Sequence, residues 1–281
     1  METKTQQRFT GERALFKAHD LRIRDCVFEK GESPLKESGN LDIADSVFRW
    51  KYPLWYCGKV EVRRSMLLEM ARAGMWYSND LLFEDCTIEA PKGFRRCSGV
   101  RIARCAFADA TETLWSCSDI MLEDVSAKGD YFAMNCENVT IDGFQLAGNY
   151  SFDGCRNVEV SNARMASKDA FWNCENVTVR DSFITGEYIG WNSRNLAFEN
   201  CTIESLQGFC YIDGLVLRNC RLVNTDRAFE YCTGIDAEVA TVVDSVVNPA
   251  GGTILAAGFG AVKQDDPAID LDKVHLAVRE E

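Results

Sequence analysis

The sequence predicts an all-β chain wound as a single-stranded parallel β-helix, a solenoid of about twelve coils with three short strands per coil. Three observations carry this. A short apolar–x–apolar segment returns every 19 to 21 residues, the residue before it is nearly always Asn, Asp or Gly, and a small residue, most often Cys, recurs at fixed places in the unit. A period of this length means that each unit buries its apolar face only by stacking on its neighbours.

The segments begin at Leu21, Leu41, Val60, Leu81, Val100, Ile120, Val139, Val158, Val177, Leu196, Leu215 and Ile235. Two residues after each start comes a second apolar side chain, from Ile23, Ile43 and Val62 through Val179, Phe198 and Leu217 to Ala237, with polar residues between. Period-two alternation rich in β-branched residues is a strand pattern. Before each strand stands a corner residue such as Asp20, Asn138, Asn157, Asn176 or Gly214, of the types that tolerate a left-handed backbone. After the strand a second corner leads to an inward column of Phe28, Phe48, Leu67, Ile88, Phe107, Met165, Ile184, Ile203, Leu222 and Val242. A third column, with Leu35, Leu54, Met75, Phe94, Leu114, Phe152, Phe171, Gly190, Phe209 and Phe229, closes the coil. Leucine-rich repeats share the period, but no unit carries the helical return with leucines at fixed offsets that they need.

The columns give the organisation. Residues 1–20 read as a partial coil capping the N-terminal end, 21–253 as the parallel β-helix in one elongated domain, and 254–281 as a C-terminal cap and charged tail.

Seven of the thirteen cysteines, Cys57, Cys97, Cys117, Cys136, Cys155, Cys174 and Cys232, stand three residues before the next strand, and five more stand five residues after a strand start. Regular spacing at one place in the unit marks buried thiols used as small apolar side chains. No C-x-x-C pair is present, and His19 and His275 lie far apart, so no metal site is expected. An odd thiol count and a polar start, with no export signal, point to a reducing cytoplasm. A net charge of −12 argues against a nucleic-acid partner, and no apolar run approaches a membrane span, so neither nucleic acid nor membrane is expected. Nothing implies a cofactor.

Chemistry in a solenoid must lie on an outward column. One column stands out, because five of the six tryptophans, Trp55, Trp76, Trp115, Trp172 and Trp191, share it, interrupted by Arg95, Asp153 and Glu230. Strict alternation from the cysteines would turn this column inward. Charges at Arg95, Asp153 and Glu230 oppose that, since an unpaired charge in a narrow apolar core is costly. Exposed aromatic rings suit the apolar faces of sugars while amides bond hydroxyls. The substrate-binding candidates are therefore Trp115, Trp172, Trp191, Tyr188, Asn173, Asn192 and Arg95, with a glycan as ligand. For catalysis the candidates are Asp153, with Asp130 and Asp169 expected one coil to either side, and Asp169 paired with Glu187, as acid and base in glycoside hydrolysis. The alternative is a non-catalytic scaffold in which the same aromatics form a partner or homo-oligomer surface.

The segments Val139-Thr-Ile-Asp, Val158-Glu-Val-Ser and Val177-Thr-Val-Arg, each following Cys-x-Asn, together with the Trp-x-Cys and Trp-x-Ser steps at Trp172 and Trp191, resemble the pectin-lyase-like right-handed parallel β-helix superfamily. More narrowly, the chain resembles a bacterial family of uncharacterised domains within it. The resemblance spans about residues 9–262 and implies right-handed coiling, the usual hand of parallel crossovers. Characterised members of the superfamily include pectate lyases and polygalacturonases. Neither the paired-aspartate motif of the second nor the clustered calcium-binding aspartates of the first occurs here, so the resemblance transfers no active-site residue.

Overall fold

The computed structural model describes residues 1–279; the final two residues of the expected tail lie outside it. It is an all-β, right-handed parallel solenoid of about 15 coils, more than the twelve expected. The extra coils are at the ends. Glu2–Thr5 pairs in parallel with His19–Arg24, and Gly252–Lys263 and Val274–Val278 add two further rungs. Their inward side chains are too mixed to stand out as columns in the sequence.

The chain divides into two compact units, Met1–Gln145 and Leu146–Glu281. In the first, Leu21 pairs with Leu41, Leu41 with Val60, Val60 with Leu81, Leu81 with Val100 and Val100 with Ile120. The second repeats the scheme through Val158, Val177, Leu196 and Leu215. Like therefore lies on like, and every one of these side chains is buried. Short strands after the first corner do the same: Phe28 and Phe48 stack at 4.6 Å with planes 3° apart, and in the second unit Met165, Ile184, Ile203 and Leu222 follow one another in register. Each such side chain taken out of water contributes on the order of 1.5–3 kcal/mol.

One inward assignment fails. Val242 is 53% exposed and Val243 is buried in its place, because the pairing slips between Val239 and Val242. A slip of one residue turns the opposite face of a strand inward.

Among the described residues the third side of the coil is a strand only at Met75–Trp76 and Phe94–Arg95. Elsewhere it is a run of turns in which alternate residues are left-handed, as at Asp169, Phe171 and Asn173, with φ of 58°, 60° and 53°. Parallel bonding persists even so. Asp169 and Asn173 donate their backbone N–H groups to Glu187 and Trp191 on the next coil, while Phe171 donates to Ser151 on the previous one. The inward column remains buried throughout, including Gly190 at φ 76°, where an added Cβ would meet Ile212 Cδ1 and Leu196 Cδ2 at 2.8 Å.

Asparagines hold the corners. Asn176 Nδ2 donates to Asn157 Oδ1 at 3.1 Å and Asn195 Nδ2 to Asn176 Oδ1 at 3.0 Å, while at the second corner Asn219 donates to Asn200 and Asn200 to Asp181. These residues tolerate positive φ and pair their side chains from coil to coil, which explains their regular placement.

All thirteen cysteines are buried thiols. Several bond across coils: the backbone N–H of Cys97 donates to Cys117 Sγ at 3.4 Å, and that of Cys86 to Cys105 Sγ at 3.3 Å. Burial pushes the thiols of Cys57 and Cys174 up to about 12, which leaves them protonated.

Candidate functional site

The tryptophan column is half-buried in both units, but the rings behave differently in each. In the first unit Trp55 and Trp76 stack at 5.2 Å with planes 7° apart. The Arg95 guanidinium then lies between Trp76 and Trp115, 4.5 Å from each ring centroid, and Nη2 reaches Glu112 Oε2 at 3.1 Å. Indole N–H groups turn back to the chain, that of Trp76 donating to Lys92 O at 2.9 Å and that of Trp115 to Tyr131 O at 2.7 Å. The flat faces of this stack are thus taken by one another and by Arg95. Only their edges are left to solvent. Asp130, the catalytic candidate in this unit, is exposed, and its backbone carbonyl accepts the Glu112 N–H.

The second unit brings together the remaining candidates except Asp153 on two chain segments that lie side by side, 168–175 and 187–194. Here the rings fan apart. Trp172 and Trp191 have centroids 5.9 Å apart with planes at 37°, and Trp191 and Tyr211 are 4.8 Å apart at 44°. Trp172 Nε1 donates to Tyr188 O at 2.8 Å, which fixes the ring along the coil, and Tyr188 meets Trp191 edge-on at 5.8 Å. Planes at such angles leave wedges of ring face uncovered.

Beside the rings runs an amide ladder, with Asn192 Nδ2 donating to Asn173 Oδ1 and Asn173 Nδ2 to Asp153 Oδ1, both at 2.8 Å. The two asparagines line an open groove of about 380 Å³ with Arg156, Glu175, Arg194 and Tyr211. Tyr211 is absent from the sequence candidates; it continues the Asn173 and Asn192 column at the same 19-residue step, a signal that residue type alone conceals.

Asp153 lies in the tryptophan column and is held by Asn173, and Asp169 lies one coil on in the neighbouring column, between Tyr150 and Tyr188. Asp169 and Glu187 belong to adjacent coils, and Lys168 stands with them: its Nζ is 2.9 Å from Glu187 Oε2 and 5.6 Å from the Tyr188 ring centroid. Asp169 itself is only 2% exposed, and its Oδ1 has no hydrogen-bond partner. Burial raises its pKa above the ordinary aspartate value, Lys168 draws it back, and Glu187 raises it further.

Solved structures with the same general architecture share little sequence with this chain. A surface adhesin of Streptococcus pneumoniae, PfbA, matches 95% of this chain and 85% of its own at 6% identity and a TM-score of 0.41. The periplasmic alginate epimerase AlgG matches 98% and 73% at 12% identity and a TM-score of 0.30. QnrB1, a plasmid-mediated fluoroquinolone resistance protein, in a trypsin-treated form, matches 79% and 92% at 14% identity and a TM-score of 0.25. Scores this low carry no functional argument. No curated protein matches the sequence. Residues 2–277 match a single family description over nearly the whole chain, and the protein belongs to that family, Protein of unknown function (DUF3737).

Proposed function

We propose that the second unit presents a carbohydrate-binding surface made by Trp172, Trp191, Tyr188 and Tyr211, with Asn173 and Asn192 beside them. The observation that carries this reading is the fanned aromatic rings adjoining an amide-lined groove of about 380 Å³. Uncovered wedges of ring face suit the apolar faces of sugars, and amides and guanidinium groups suit their hydroxyls. Recognition is favoured over turnover. Asp153 is engaged by Asn173, Glu187 by Lys168, and Asp169 is buried, so none of the three is an open acid or base beside the groove.

Immobilised wild type and a Trp172→Ala/Trp191→Ala variant, applied to a glycan array, test the reading. Wild type should retain a defined set of glycans and the variant should lose it. Retention of no glycan by wild type overturns the proposal. In that event a smaller particle for the variant than for wild type in light scattering would assign the rings to a contact between copies.

A further inference from the structure

The amide-lined groove of the second unit has two rails, one to each side of the buried Cys174 and Ser193. Asn173, Asn192 and Tyr211 form the first, all exposed and each one coil beyond the last. Arg156, Glu175, Arg194 and Asp213 form the second, since the pairing places Arg156 beside Glu175, Glu175 beside Arg194 and Arg194 beside Asp213. Its charges alternate in sign from coil to coil. Arg156 Nε lies 3.7 Å from Glu175 Oε2, and Arg194 Nε lies 3.7 Å from Asp213 Oδ2, so the rail carries no net charge. That distance is too long for a hydrogen bond, which leaves the donors and acceptors of the rail to a ligand's hydroxyls. Two features of this arrangement point to a class of ligand. Polar groups recur once per coil over four coils, and an extended hexose chain advances per sugar by nearly the spacing of adjacent strands, about 4.8 Å. Alternation of sign, in turn, disfavours a chain with one charge on every sugar, because an anionic chain meets Glu175 and Asp213, and a cationic chain meets Arg156 and Arg194, at like charge. Uncharged sugars meet no such penalty, and their hydroxyls both donate to carboxylates and accept from guanidinium groups.

We infer that the groove holds an extended, uncharged glycan chain along its length, one sugar to a coil over the four coils from Arg156 to Asp213. This rests on the carbohydrate reading above and narrows it from sugars in general to neutral chains. The amide rail bonds hydroxyls at each step, and the charged rail supplies the selection against acidic and basic sugars.

Calorimetric titration compares cello-oligosaccharides, from the disaccharide to the hexasaccharide, with glucuronic acid oligosaccharides of the same linkage, which differ only in the carboxylate on each sugar. Wild type should bind the neutral series more tightly with each added sugar up to the tetrasaccharide and no more tightly beyond it. The glucuronic acid tetrasaccharide should bind about tenfold more weakly than its neutral counterpart, or weaker still. Glu175→Gln/Asp213→Asn, its folding confirmed by a thermal melt, keeps Arg156 and Arg194 without their counter-charges and should reverse that preference. Neutral affinity that does not change with chain length, wild-type binding of the acidic series as tight as the neutral one, or a preference unchanged in the double variant overturns this inference and leaves the broader carbohydrate reading intact. Binding of neither series also overturns it, and the glycan array then decides the broader reading independently.

Discussion

Asp169 is the residue at which burial and charge conflict. Its pKa is raised in the fold, so the folded protein binds a proton more readily than the unfolded chain does. Stability from this group is therefore fully present below the ordinary aspartate value near 3.8 and is lost as pH rises through the folded value. Urea unfolding of wild type and Asp169→Asn should show similar stability at the acid end of the accessible range, with the variant the more stable of the two at neutral pH. A wild type that instead gains on the variant with rising pH would mean that the carboxylate is already paired. The cysteines are opposite in character. Buried thiols held near 12, such as Cys57 and Cys174, should resist a water-soluble thiol reagent at pH 8, and all thirteen should react once the chain is denatured. Fast labelling of the folded protein would show that coils open locally.

At the scale of elements, the corner asparagines and the inward columns make separable contributions. Asn176 has φ 58° and bonds at both ends, to Asn157 and from Asn195. Asn176→Ala should cost about 1–2 kcal/mol through the lost ladder bonds and the strained backbone, and Asn176→Gly should cost less because glycine removes the strain. Chemical denaturation of both variants separates the two causes. Phe198→Ala, at a fully buried strand position, should cost more, about 3–5 kcal/mol. These elements are legible in the sequence because every inward position repeats at nearly constant spacing, so that Leu21 announces Leu41 and Val158 announces Val177. The third side is not. Left-handed turns there bond the coils as strands would, yet they require no β-branched alternation, so the expected third strand dissolves into turns at Asp169 to Asn173. The slip at Val242 is hidden for a related reason, since Val242 and Val243 are the same residue type and the sequence does not distinguish which faces inward. As for the candidate site, the 19-residue step sets Trp172 beside Trp191 and Asn173 beside Asn192. It does not reveal ring tilt: Trp55 and Trp172 both bond a carbonyl 16 to 18 residues onward, yet the first lies flat on its neighbour and the second is fanned from it.

At the scale of the molecule, a chain of repeated coils stabilises each coil chiefly through its immediate neighbours. Interior rungs have two and terminal rungs have one. Amides of Val274–Val278, which pair with Gly252–Lys263 and are nowhere fully buried, should exchange with deuterium well before those of Glu175–Arg180, which pair on both sides. Uniform protection along the second unit would refute this gradient. The first unit contains one further consequence in the flush pile of Trp55 on Trp76. Two indoles so close and so nearly parallel share their electronic excitation, so the polypeptide carries an internal optical gauge of whether those coils remain seated on each other. The stacked pair's lowered near-ultraviolet absorbance should rise as those coils melt, and Trp55→Phe should abolish that rise while the fold persists, giving a signal for melting of the amino-terminal half without any attached dye.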